Sequence, residues 1–348
     1  MRNRIFFYWV FAAVVLSGCQ TASYYAQAVN GQLNILRHRR PIDQILSDPQ
    51  VDASLKNRLE FVLEIREFAK KELLLPVDNQ YSSYVDLRRP YAVWTVFAAP
   101  EFSLMPKTWC FPIAGCTAYR SYFSENDAQR FAGRLSSRGY DIYVGGAMAY
   151  STLGWFDDPV LNTVIHLDDV ELAALFFHEL AHHIVYVKDD STFNESFATA
   201  VEQEGLRRWL MASANHRAYE NYMTNYRRNR EFIQLVMKYR RRLEALYDTN
   251  LSIREKRQNK ARIYRSLGNA YEQLKQHWKG YSGFDDWFSP PPNNAKIVSV
   301  STYHDFVPHF LKMIEKNQGD LGLFYKACRK QKKKPKAERD LGLQAHSP

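Results

Sequence analysis

The sequence of 348 residues has no apolar run long enough to cross a bilayer, no internal repeat and only four cysteines. A spanning helix needs about 20 consecutive apolar residues, so none is expected as an anchor. Without a repeat, solenoid and propeller architectures drop out. Four cysteines are too few for a disulfide-dense scaffold. No motif for an activated serine or cysteine nucleophile is present either, so hydrolytic chemistry would have to draw its nucleophile from another source. An evenly basic surface is missing too, although the formal net charge is +10. Arg329, Lys330, Lys332, Lys333, Lys334, Lys336 and Arg339, set against Glu338 and Asp340, place half of that charge in the last twenty residues. The remainder is only mildly basic, so no nucleic-acid partner is expected. The lysine run reads as a solvated, disordered tail over residues 329–348.

With 46% hydrophobic and 14% aromatic residues, the chain can bury a substantial core. Its first residues carry Arg2 and Arg4 before an apolar run from Ile5 to Leu16, the layout of a signal peptide. The run closes on Leu16-Ser17-Gly18-Cys19, which resembles the lipobox of bacterial lipoproteins. The resemblance implies removal of residues 1–18, acylation of Cys19 and a membrane partner reached through that lipid. Gln20 follows the cysteine where inner-membrane lipoproteins of many Gram-negative bacteria carry Asp. The expected location is therefore the outer membrane, facing the periplasm. Residues 19–40 read as a lipidated polar tether, and the folded domain is expected over 41–328. In an oxidising compartment, Cys110 and Cys116 are close enough to pair, with Pro112 and Gly115 between them to make the turn. Cys328 is left over.

Periodicity suggests a mainly α fold with a small β portion. Helical spacing runs from Ser54 to Leu75 and stops at Pro76. Residues 81–123 are β-branched, aromatic and broken by prolines, which suggests short strands. A helix over about 126–138, capped by Ser124 and stopped by Gly139, leads into a strand from Tyr140 to Val144. Asp168 and Glu171 have capping-box spacing and open an apolar helix. Further helices are expected from Thr192 to about Lys279 and over about 305–316.

The apolar helix carries His178-Glu179-Leu180-Ala181-His182. Two histidines four residues apart share one helix face and can reach one ion, while Glu179 projects beside it as a general base. This is the arrangement of a zinc site that activates water. A catalytic zinc needs a third protein ligand and an open position. Glu195, in Phe193-Asn194-Glu195-Ser196-Phe197-Ala198, is the candidate, with completion of a capping box behind Thr192 as its competing role. His183 points away from the metal face. Tyr303 and His304 are candidate donors to a developing oxyanion, with aromatic packing as the competing role of Tyr303.

These motifs resemble the gluzincins, zinc peptidases in which HExxH is followed by a helix with Asn-Glu-x-Phe-Ala and a further Glu two turns on. The resemblance implies a zincin-like metallopeptidase domain, bound Zn2+, a peptide substrate, and a supporting role for Glu202 in orienting a ligand. More narrowly, the stretch 145–205, with Tyr150-Ser151-Thr152-Leu153-Gly154-Trp155-Phe156, Asn293-Asn294-Ala295 and Thr302-Tyr303, is similar to a family of bacterial lipoproteins described as putative aminopeptidases. The best-known gluzincin aminopeptidases hold the substrate amine with a Glu in Gly-x-Met-Glu-Asn. This chain reads Gly146-Ala147-Met148-Ala149-Tyr150 there, which leaves exo- against endopeptidase cleavage open. Asp157 or Asp158 is the alternative anion, against a plain Asp-Asp-Pro turn. Two rivals stand beside the peptidase: a lipoprotein that keeps zinc as a folding staple and serves binding or assembly, and a membrane-surface protein acting through its basic tail.

Overall fold

The structure, a computed structural model, describes residues 23–111, 115–149, 156–300 and 306–344. The signal segment, Cys19, Tyr303 and His304 lie outside them. The described chain opens with helix α1 (23–38), strand β1 (Arg40–Pro41), and helices α2 (Ile42–Ser47) and α3 (Ala53–Glu72). Strands β2 (Ser83–Val85), β3 (Val93–Pro100), β4 (Trp109–Phe111), β5 (Gly115–Thr117) and β6 (Tyr119–Tyr122) follow. Helix α4 (Glu125–Ser136) then precedes strands β7 (Tyr140–Ala147) and β8 (Val160–Leu161). From there the chain is helical: α5 (Asp169–Ala181), α6 (Ser191–Ala212), α7 (His216–Tyr247), α8 (Ile253–His277), α9 (Asp285–Phe288), α10 (Asn294–Ser299), α11 (Val307–Lys316), α12 (Leu321–Lys332) and α13 (Lys336–Gln344). The fold is mainly helical with a modest strand content. No helix of the described residues is long and apolar enough to cross a membrane.

β3 is the centre of an antiparallel sheet ordered β6-β3-β7, and it buries Trp94, Val96 and Ala98 against Phe131 and Leu135 of α4. α4 starts at Ser124, whose hydroxyl accepts from Asp127 N, and the chain leaves it through Gly139 at φ +82°, a conformation glycine adopts without strain. A smaller sheet, β1-β2-β8, pairs β2 with β8 in parallel. β4 and β5 form a hairpin closed by a Cys110–Cys116 disulfide.

The main core lies among α3, α5, α6, α11 and α12. Leu59, Val62, Ile65 and Ala69 recur at helical spacing along α3 and face Phe176 and Phe177 of α5. Phe197 of α6 stacks on Phe324 of α12 with ring centroids 5.7 Å apart and meets Phe310 of α11 edge-on. Gly205 sets the approach of α6: a Cβ there would lie 2.7 Å from Leu73 Cδ1 and 2.8 Å from Phe177 Cδ2. A separate core of Phe232, Val236, Leu243, Leu267 and Tyr271 joins α7 to α8.

Two segments differ from expectation. The region read as a tether is helical from residue 23, and Ile35 is buried with Val85, Ala92 and Leu161. Its polar residues occupy an exposed face, which hid the few apolar anchors. The tail read as disordered continues as α12 to Lys332 and then as α13. Charge averaged over the segment concealed one residue: Arg339 is 3% exposed and donates through Nε and Nη2 to Asp190 Oδ2, at 2.9 and 2.5 Å. Lys336 reaches the other oxygen of Asp190 from an exposed position. Cys328, the leftover cysteine, is fully buried in α12, and burial pushes its thiol well above the usual range.

Because Asp190 is buried, removing its main partner strands a carboxylate away from water. Arg339→Met should lower unfolding stability by about 3 kcal/mol in urea titrations, while Lys336→Met should cost less than about 1 kcal/mol. Equal effects of the two changes would contradict this account of the tail.

Candidate metal centre

α5 begins with the capping box expected of it: the Asp168 carboxylate accepts from Glu171 N, and Glu171 accepts from Asp168 N. Its apolar residues Leu172, Phe176, Phe177 and Leu180 are buried on the core side. That fixes the rotation of the helix and leaves His178 and His182 on the opposite stripe. His182 is the first residue past the helix but keeps helical dihedrals, so the four-residue spacing still brings the two rings together edge to face, with centroids 5.0 Å apart.

A link of eight residues then turns the chain back into α6. Its geometry is held by Asn194, which is 2% exposed. The Asn194 Oδ1 accepts from Val187 N at 2.7 Å and its Nδ2 donates to Val187 O at 2.8 Å. Asp190 caps α6 by accepting from Phe193 N at 3.2 Å. The cap is therefore Asp190 and not Thr192, which leaves the carboxylate of Glu195 free of a capping role. Glu195 lies across from both histidines: its Oε2 is 3.2 Å from His178 Nε2, and its Oε1 is 3.8 Å from His182 Nε2.

Among the described residues, His178, His182 and Glu195 form a group able to hold a metal ion, one donor atom from each lying within 4.8 Å of the others. N and O ligands at about 2.0–2.2 Å from a tetrahedral zinc sit about 3.3–3.6 Å from each other; the separations of 3.2 and 3.8 Å run to different oxygens of Glu195, so the donors would have to draw together around such an ion. Two imidazoles and one carboxylate are also the donor set of an open, water-accepting site. Behind the cluster, Glu202 Oε2 lies 2.9 Å from His178 Nδ1, and Tyr222 of α7 donates to Glu202 Oε1 at 2.5 Å. A carboxylate on the far nitrogen fixes the ring and directs its Nε2 toward the cluster.

Charge explains the protonation pattern. Burial opposes a proton on His178, but its hydrogen bonds to Glu195 and Glu202 outweigh this and raise it to about 10. In the metal-free site that proton supplies the positive charge the two carboxylates require. His182, depressed by burial and by the charge on His178, falls to about 4 and stays neutral. Burial lifts the Glu179 carboxyl to about 7; His178 draws it down, while Glu195, Asp158 and Glu202 push it up. Asp158 is 5% exposed and within electrostatic reach of Glu179. The phenols of Tyr119 and Tyr186, both partly exposed, feel the charge of Glu195. The disulfide hairpin abuts the same link, since a Cβ on Gly115 would lie 2.7 Å from Asp189 Oδ1.

The structure thus brings together His178, Glu179, His182, Glu195 and Glu202, while Tyr303 falls outside the described residues. Asp158 was one of two candidate anions in the sequence, whereas Tyr222, Tyr119 and Tyr186 were not foreseen. Nothing in their spacing relates them to the motif. Asp190 carried a signal, an acid two residues before Thr192, but three adjacent capping types in Asp190-Ser191-Thr192 compete on sequence alone.

A family model described as "Putative aminopeptidase" matches residues 23–343 of the chain. No curated protein and no solved structure matches.

Since metal-free His178 keeps its proton up to about 10, an entering cation has to displace it. Metal affinity should rise with pH, about tenfold per unit between about pH 7 and 9, with close to one proton released per ion. Calorimetry in buffers of different ionisation enthalpy measures both. A pH-independent affinity over that range would contradict a proton on metal-free His178.

Proposed function

The chain belongs to the family described as "Putative aminopeptidase", and on that premise we propose that it hydrolyses peptide bonds with a zinc ion held by His178, His182 and Glu195. The observation that carries the reading is the convergence of these donors from two helices, with the buried carboxyl of Glu179 one residue along and no capping duty on Glu195. What zinc supplies when bound is Lewis acidity, lowering the pKa of water toward about 7 and polarising a carbonyl.

The protein's own groups do the rest. Glu179 takes a proton from the attacking water and returns it to the leaving amine. In the metal-free site burial holds its carboxyl at about 7; a bound cation would move it downward, toward the carboxylate that accepts the proton. Glu202 and Tyr222 keep the His178 ring from rotating out of the ligand position. The tetrahedral oxyanion needs a donor on the side away from Glu179. Tyr303 is the candidate from sequence, and Tyr119 and Tyr186 are phenols within reach of Glu195. For an aminopeptidase, the α-ammonium of the substrate needs an anion. Asp158, close enough to Glu179 for each to feel the other's charge, fits that need better than the more exposed Asp157.

The same reading places the domain in the cell envelope. It is supported by the order Arg2, Arg4, apolar run, Leu16-Ser17-Gly18-Cys19, which fits acylation of Cys19 and an outer-membrane lipoprotein facing the periplasm.

The test compares the wild type with Glu179→Gln for zinc content and for cleavage of a mixed peptide library. Both should hold one zinc, and the variant should cut about 10²–10⁴-fold more slowly. Single residues released from free N-termini would support the exopeptidase form, and internal cuts the endopeptidase form. Stoichiometric zinc with no cleavage of any peptide by the wild type would leave the metal as a folding staple and defeat the peptidase reading.

A further inference from the structure

Away from the metal centre, α1, β6 and α4 line a half-open pocket of about 330 Å³, a volume in the range of small-ligand sites. Arg120, Arg130 and Arg134 line it, with Asp127 as the carboxylate beside them. Asp127 is committed to an ion pair with Arg130, so the other two cations have no acid among the pocket-lining residues. The aromatic wall holds them in place. The Arg120 guanidinium carbon lies 3.8 Å from the centre of the Tyr24 ring and 4.8 Å from that of Phe131, while Arg134 lies 5.6 Å from Phe131. These cation–π contacts restrict the guanidiniums of Arg120 and Arg134 to a few orientations. Arg120 also hydrogen-bonds the Tyr24 phenol, but its buried Nε has no hydrogen-bond partner among the described residues.

With Asp127 answering Arg130, the guanidiniums of Arg120 and Arg134 around the same cavity still repel one another unless an anion joins them. A second carboxylate would satisfy one fork and leave the other. A tetrahedral oxyanion presents enough oxygens for several forks at once, and the tyrosine and phenylalanine rings give an organic substituent an apolar wall. We propose that this pocket binds a phosphate group, either as free phosphate or as the headgroup phosphate of a membrane lipid. Ser23 of α1 lines the pocket, and it lies four residues beyond Cys19. Four residues can span at most about 14 Å, so an acylated Cys19 would keep the pocket within that distance of the lipid surface. The lipid source rests on the lipoprotein reading. Neither source depends on the peptidase reading.

The experiment uses the intact chain with Cys19→Ala, which cannot be acylated, beside the same chain with Arg130→Gln and Arg134→Gln. Both arginines are exposed on α4, so the fold should survive, as thermal melting and zinc content would verify. Inorganic phosphate binding is measured by calorimetry at constant ionic strength. Association with vesicles of phosphatidylcholine alone, or with added phosphatidylglycerol, is measured by flotation. Loss of both arginines should weaken the binding that occurs by about tenfold or more. Phosphate binding without vesicle association assigns the free anion, and arginine-dependent association with phosphatidylglycerol assigns the lipid. An absence of both, or binding equally strong in the variant, overturns the proposal, and zinc content and peptide cleavage should be the same in both chains.

Discussion

α5 and α6 have to lie close enough for a carboxylate on one to meet two imidazoles on the other, and much of the fold serves that approach. Gly205 removes the Cβ that would collide with Leu73 and Phe177. Phe176 and Phe177 of α5, Phe197 of α6 and Phe310 of α11 share one buried cluster. Asn194 then sets the last turn of the link by bridging both backbone atoms of Val187. With the helices fixed in this way, little is left to side-chain choice at Glu195.

The same approach creates the site's electrostatics. Glu195 and Glu202 flank one imidazole, so the centre carries excess negative charge that a proton on His178 satisfies in the metal-free state. A divalent cation would satisfy it better, because it would also engage His182, which burial keeps neutral. Glu179 belongs to this balance as well. Its carboxyl is raised by burial and by the neighbouring acids, and so the groups that draw in a metal also tune the base beside it.

The histidine pair was legible in the sequence because helical spacing alone puts residues 178 and 182 on one face. The capping box at Asp168, the helix cap at Ser124 and the break at Gly139 were legible for the same local reason. Glu195 was only half legible. Its rival role depended on which residue capped α6, and that was decided by Asp190, whose buried partner Arg339 is 149 positions away. Arg339 sits in a segment whose composition argued for disorder, since one buried arginine cannot be told from its solvated neighbours by composition. Tyr222 was not legible at all. It meets Glu202 only because α7 folds back along α6, a tertiary fact with no local signature.

A crystal structure of the zinc-loaded chain with anomalous data collected at the zinc edge tests the central claim most directly. The account predicts one anomalous peak about 2.0–2.2 Å from His178 Nε2, His182 Nε2 and a carboxylate oxygen of Glu195, with Glu202 still on His178 Nδ1. A peak that leaves Glu195 unbound, or one bound away from the two histidines, would contradict it.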